Sequence, residues 1–281
     1  GIADGIALAN KLDGSGKATF VFTGDGGASE GDFHEAVNVA AVWQLPVIIG
    51  IENNSWGLST PSEEQFRFKH FTDKAIGYGI PEEDAIKVDG NDVLAVYNTV
   101  RRCVKSLRER PRPIILEFKT FRIMGHEEAS GTKYYPDGLI DKWKTVDPIN
   151  RITKHLKANG GLRDDEEAEI RSRHKQTILD GLKISSDLPE IEADVLEELE
   201  DIYAPGTPLE VPSKTKGREI RMIDAIQEGL GMSMENNPSM VCMGQDIGAY
   251  GGVFKVTDGF VDRFGKERVR STPLCESAIV G

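Results

Sequence analysis

The residues with most chemical potential lie in one stretch, GDGGASEGDFHEAVNVAAVWQLPVIIGIENNSWGLST, from Gly24 to Thr60. Asp25 stands between glycines at the end of the apolar run ATFVFTG (18–24), which reads as a central parallel strand. Asn53 and Asn54 follow a second such run, PVIIGIE (46–52). A parallel sheet gathers ligands at the carboxyl ends of its strands, so one β-α-β crossover brings the acid and the amides to one edge. Gly24, Gly26 and Gly27 are expected to allow tight or positive-φ turns and to let phosphate oxygens approach backbone N–H groups. The helix starting near Glu30 aims its N-terminus at the same crevice. A hard cation such as Mg²⁺ takes oxygen ligands. Asp25, the Asn54 side-chain oxygen and the Trp56 carbonyl would supply one face of its shell and a diphosphate another. Either motif alone is an ordinary turn; their joint placement gives the signal.

Alternating helices and strands position these groups over residues 1–150. A small-residue helix, IADGIALANKL, is read as buried. Ser29 and Asp32 are read as a capping box. Phe33, Val37, Ala40 and Ala41 form the apolar stripe of a helix ending near Gln44. AIKVDG (85–90) and PIILEFKTFR (113–122) are further strands, separated by an amphipathic helix over 92–110. This predicts an α/β fold with a doubly wound parallel sheet. Residues 151–217 read as a helical connector, closing in a Pro/Gly/Ser/Thr-rich linker over 204–217. From 218 to 281 a second α/β domain begins, with a helix at IRMIDAIQEGLGMSMENNP, a strand at 239–246, a helix at VTDGFVDRFGKE and a strand at RVRST.

GDGGASEGDFHEAVNVAA with ENNSWGLST matches the thiamine diphosphate fingerprint. These segments resemble the α component of E1 enzymes of the 2-oxo acid dehydrogenase family. TFRIMGHEEASGTKYYPDG (120–138) resembles the family's active-site loop, which implies that Arg122 and His126 flank the cofactor and that His126 contacts its diphosphate and assists acyl transfer. Glu127 stands where some members carry a regulatory serine, so phosphorylation there is not expected. GQDIGAYGGVFKVTDGFVDRFGKERVRSTPLCESAIVG resembles the opening of the β component. The resemblance makes Glu276 the glutamate that hydrogen-bonds the aminopyrimidine and promotes proton removal from thiazolium C2. Gln245 replaces an acid common in the family, which puts a proton role there in doubt.

The implied fold is a diphosphate- and metal-binding domain (1–150), a connector (151–217) and the start of a pyrimidine-binding domain (218–281). The α and β parts are fused, and the chain is read as cut at both ends. The implied activity is oxidative decarboxylation of a branched-chain 2-oxo acid with thiamine diphosphate and Mg²⁺, and acyl transfer to a lipoyl-bearing E2 acyltransferase. Pyruvate or acetoin as substrate, a transketolase-like enzyme, and a non-catalytic Mg-diphosphate-binding fragment are the alternatives. A homo-oligomer is expected.

Composition restricts the remaining classes. The 281-residue chain is long enough for about two domains of roughly 150 residues. Its formal charge of -12 and lack of a basic stripe argue against nucleic acid as a partner. It has no apolar run of the ~20 residues that a membrane helix needs. Three scattered cysteines, Cys103, Cys242 and Cys275, suit a reduced, cytoplasmic protein; Cys275 is read as a structural thiol.

Overall fold

The computed structural model describes residues 1–127, 129, 131–190, 192–206, 217–273 and 275–281. Gly1–Ile152 and Arg221–Gly281 pack as one unit and Thr153–Ile220 as another. Most of the expected linker, at 207–216, lies outside the described residues.

In the first unit, helix α1 (Ile2–Leu12) leads to strand β1 (Thr19–Gly24), a 3₁₀ turn at Gly27–Ser29 and helix α2 (Gly31–Trp43). Strand β2 (Val47–Asn53), a short hairpin of β3 (Trp56–Gly57) and β4 (Thr60–Pro61), and the one-turn helix α3 (Ser62–Gln65) follow. A 3₁₀ segment (Phe71–Tyr78), strand β5 (Ala85–Asp89), helix α4 (Val93–Glu109), strand β6 (Ile114–Lys119) and helix α5 (Leu139–Lys144) come next. The main sheet is parallel throughout, in the order β1-β2-β6-β5. β2 and β6 are its central strands and its most apolar, because both of their faces are covered.

One face packs Ile49, Ile51 and Ile115 against Ala7 and Leu8 of α1, Val37 and Ala40 of α2, and Phe71 and Ala75 of the 3₁₀ segment. The other packs Ile48, Ile114, Leu116 and Phe118 against Cys103 and Leu107 of α4. Helices on both faces make the sheet doubly wound. Asp92 caps α4 by accepting from the Leu94 and Ala95 N–H groups at 3.0 Å each.

Three local expectations change. α1 is not buried all round: Asp4, Ala7 and Leu8 face inward, while Ile2 and Ile6 are exposed. The Ser29–Asp32 capping box does not form, because Ser29 ends a 3₁₀ turn and the N-cap of α2 is the next residue, Glu30. The helix expected over VTDGFVDRFGKE is cut to α10 (Phe260–Phe264), with Gly259 and Gly265 at positive φ on either side.

The second unit holds most of helix α6 (Pro148–Ala158), helix α7 (Asp164–Ser186) and helix α8 (Val195–Glu200). Lys157 pairs with Asp164 and Glu167 at 2.5 and 2.6 Å, tying the end of α6 to the start of α7. From residue 221 the chain rejoins the first unit with helix α9 (Met222–Asn236), strand β7 (Cys242–Gly244), α10, strand β8 (Val269–Ser271) and helix α11 (Glu276–Val280). β7 and β8 pair in parallel across α10, over a small core of Met234, Phe260 and Val269. Among the described residues no helix is long and apolar enough to cross a membrane.

Candidate diphosphate and metal site

The register of the two strands places the motifs together. Gly24 of β1 is the partner of Glu52 in β2, so Asp25 and Asn53 leave the sheet side by side. Asp25 is 1% exposed. Its carboxylate accepts from the Gly26 N–H at 3.1 Å and from the Ser62 hydroxyl at 3.3 Å. Burial pushes its pKa above the ordinary aspartate value; donors on Gly26, Ser62 and Trp56 pull the other way. Among the described residues no lysine, arginine or histidine forms an ion pair with this carboxylate.

The loop after β2 closes over the same point. Asn54 Oδ1 accepts from the Trp56 N–H at 3.0 Å, and that N–H also faces Asp25. Asn54 and Asp25 thus meet around one backbone amide, and the amide oxygen keeps a second lone pair. Asn53 turns inward: its Oδ1 accepts from the Ser55 N–H at 3.0 Å and its Nδ2 donates to Glu117 Oε1 at 2.6 Å.

The glycines act by clearance rather than by unusual φ. Gly24, Gly26 and Gly27 are not among the positive-φ residues; Ser55 (φ 71°) and Leu58 (φ 55°) take those conformations instead. A Cβ on Gly26 would come within 3.1 Å of the Gly57 Cα, and one on Gly27 within 2.7 Å of Thr23 Oγ1. A side chain at Gly26 would push the turn off the loop that carries Asn54, and one at Gly27 would strike the end of β1. The turn is held from outside by Lys74, which donates to the Ala28 carbonyl at 3.1 Å and lies over the Phe68 ring, 4.8 Å from its centroid.

Arg122 and His126 form a second group. Arg122 donates to His126 Nδ1 at 3.0 Å, to the Tyr134 hydroxyl at 2.9 Å, to the Tyr135 hydroxyl at 3.4 Å and to the Leu58 carbonyl at 2.5 Å. The Trp56 ring packs on Tyr134 and Tyr135 at 5.6 and 5.1 Å. The 120–138 loop is therefore fastened to the Trp56–Leu58 segment that also faces Asp25. Glu276 starts α11, and Gln245 donates to it at 2.9 Å, which holds its carboxyl below the usual glutamate range. α11 packs on α2, with the Ala278 N–H donating to Glu35 at 3.2 Å.

Sequence reasoning missed Glu117, His70 and Lys119. Glu117, 1% exposed, accepts from Asn53 and from the Thr72 N–H at 3.3 Å, with His70 Nδ1 at 3.6 Å. Lys119 donates to the Ser55 hydroxyl. Burial lowers the pKa of its ammonium, while the Glu117 and Asp25 carboxylates oppose that shift. The available signal was the EFK triplet inside an otherwise apolar central strand, since a buried charge requires a partner.

The chain matches the family described as dehydrogenase E1 component over residues 1–194 and the transketolase pyrimidine-binding domain over residues 218–281. It is similar to 2-oxoisovalerate dehydrogenase subunit alpha 2, mitochondrial, of Arabidopsis thaliana: 39% identical over 186 residues, covering 65% of this chain and 39% of the relative. It is 36% identical over 209 residues to the 3-methyl-2-oxobutanoate dehydrogenase subunit alpha of Mycobacterium tuberculosis (strain CDC 1551 / Oshkosh), covering 73% of this chain and 55% of the relative. A pyruvate dehydrogenase E1 component subunit alpha of Staphylococcus aureus (strain Mu50 / ATCC 700699) is 36% identical over 183 residues, covering 64% of this chain and 49% of that protein. The chain spans between 39% and 55% of the length of these relatives. With its first 194 residues matched and its parallel sheet and glycine turn in place, the chain belongs to the dehydrogenase E1 component family.

Proposed function

We propose that this chain is part of a thiamine-diphosphate-dependent 2-oxo acid dehydrogenase E1. The complete protein would decarboxylate a branched-chain 2-oxo acid and pass the acyl unit to a lipoyl-bearing E2 partner. The observation that carries this reading is the buried Asp25 carboxylate, which forms no ion pair among the described residues, feels the Lys119 ammonium only through space, and shares the Trp56 N–H with Asn54. A buried acid of that kind is costly unless a cation neutralises it. The donors around it are hard oxygens, which suit Mg²⁺. Gly24, where a Cβ would meet nothing within 4 Å, leaves open space for a phosphate approaching the backbone.

In this reading Asp25, Asn54 and the Trp56 carbonyl hold Mg²⁺. Gly24, Gly26 and Gly27 form the turn that would meet the diphosphate, and His126, oriented by Arg122, would face it. When bound, thiamine diphosphate supplies the carbon nucleophile and the electron sink that decarboxylation needs. Glu276, oriented by Gln245, would hydrogen-bond the aminopyrimidine. Residues 1–150 serve as the diphosphate- and metal-binding domain, 151–217 as the connector, and 218–281 as the start of the pyrimidine-binding domain. A cytoplasmic homo-oligomer belongs to the same reading. The branched-chain relatives favour that substrate class over pyruvate.

The test is decarboxylation by the full-length protein across pyruvate and branched-chain 2-oxo acids, with carbon–carbon cleavage of acetoin measured beside it, with and without thiamine diphosphate and Mg²⁺, followed by acylation of an isolated lipoyl domain. Turnover fastest on 3-methyl-2-oxobutanoate, dependent on the cofactor and ending on the lipoyl group, is expected. Turnover indifferent to thiamine diphosphate would overturn the reading.

A further inference from the structure

The pleat of the sheet sets a polar row above the core that α1 and α2 cover. Side chains alternate along each strand. Ile49 and Ile51 face that core and put Asn53 on the same side; Ile115 does so for Glu117 and Lys119. In register, Asn53 of β2 is the partner of Lys119 in β6. Extending the alternation of Val21 and Thr23 brings Asp25 to that face as well. The carboxyl edge therefore carries Asp25, Asn53 and Lys119 across three adjacent strands, with Glu117 one layer below.

Lys119 has a single hydrogen-bond partner among the described residues, the Ser55 hydroxyl, although an ammonium has three donors. Ser55 adjoins Asn54, and its φ of 71° belongs to the strained loop that closes the site. The half-buried ammonium is within electrostatic reach of Asp25 and of Glu117. Glu117 has donors in Asn53 and Thr72 and the His70 ring 3.6 Å away, so Lys119 is not its sole partner. A divalent cation and a diphosphate placed against Asp25 would leave the site net negative, because the phosphates carry several charges and Asp25 adds one. Arg122, beside His126, offsets part of that excess, and Lys119 is the cation at the strand edge itself.

Resting on the reading of the site given above, we propose that Lys119 is a further anion-binding residue of this chain, whose ammonium contacts the terminal phosphate of the diphosphate from beside Ser55. A lysine suits this as a point charge on a flexible stem that can turn from a hydroxyl to a phosphate oxygen.

The test compares wild-type, Lys119→Met, Lys119→Arg and Asp25→Asn full-length proteins in saturating Mg²⁺, with thiamine diphosphate and thiamine monophosphate as calorimetric ligands and thermal melting as the fold control. Lys119→Met is expected to weaken thiamine diphosphate binding roughly tenfold to a hundredfold, the worth of one charged hydrogen bond. It should leave thiamine monophosphate within about threefold of wild type, and Lys119→Arg should restore most of the discrimination. Unchanged diphosphate affinity in Lys119→Met, alongside lost affinity in Asp25→Asn, overturns the role of Lys119 and leaves the site reading intact. Equal weakening of both ligands makes Lys119 structural and also overturns the proposal. Wild-type affinity in Asp25→Asn overturns the site and the proposal together.

Discussion

Replacing Asp25 by Asn should move stability and binding in opposite directions. The side chain is 1% exposed, and burial raises its pKa in the folded chain. An acid with a raised folded-state pKa contributes stability while protonated, and loses that contribution as pH rises from the ordinary carboxylate range through the folded value. At neutral pH the ionised carboxylate therefore opposes folding of the cofactor-free protein. Asparagine keeps an acceptor for the Gly26 N–H and a group facing Ser62 while removing the charge. The cofactor-free variant should melt at or slightly above the wild-type temperature. For binding, the lost attraction of a unit charge at ~4 Å with an effective dielectric of ~20 is ~4 kcal/mol, or ~1,000-fold in affinity. Calorimetric titration of thiamine diphosphate at fixed Mg²⁺, together with melting curves with and without both ligands, measures the two effects. Affinity within tenfold of wild type, or a cofactor-free melt several degrees lower, would refute the assignment of Asp25 as a buried acid awaiting a cation.

Glu117→Ala strips acceptors from the buried Asn53 amide and the Thr72 N–H and should cost about 3–5 kcal/mol, whereas Glu117→Gln should lose less. At roughly 2–4 °C per kcal/mol the alanine variant should melt about 6–20 °C lower, and a shift under 2 °C would contradict the network. Arg122→Met removes four donor contacts from the 120–138 loop; limited proteolysis should cut there faster, and Arg122→Lys should not restore protection. Asp4, pushed to about 6 by burial, gives stability that falls as pH rises from the ordinary aspartate range through about 6. Asp4→Asn should flatten denaturant-measured stability across that window, and an unchanged slope would exclude Asp4 as its source.

The strands of the main sheet were readable because a parallel strand covered on both faces is a continuous apolar run, and β1, β2, β5 and β6 lie within one to three residues of their expected ends. The same rule failed in the second β-α-β. SMVCMGQD promised a strand of eight residues, yet only Cys242–Gly244 pairs, since its one neighbour, β8, is itself three residues long. Asp25 and Asn54 were legible through their placement after apolar runs. Glu117 and Lys119 were hidden inside one, where a period-two reading records the strand and passes over the charge. The positive φ at Ser55 was unreadable, because serine has no local preference for it.

Helix α2 begins just beyond the glycine turn beside Asp25, and its flank seats α11, whose first residue is Glu276. Glu35, the fifth residue of α2, accepts from the Ala278 N–H, so little more than one helical turn separates the glycine turn from the seat of α11. α2 behaves as a gauge bar: it fixes the span that any bridging molecule must match. Shortened or lengthened analogues would be rejected by length before any individual contact discriminated between them.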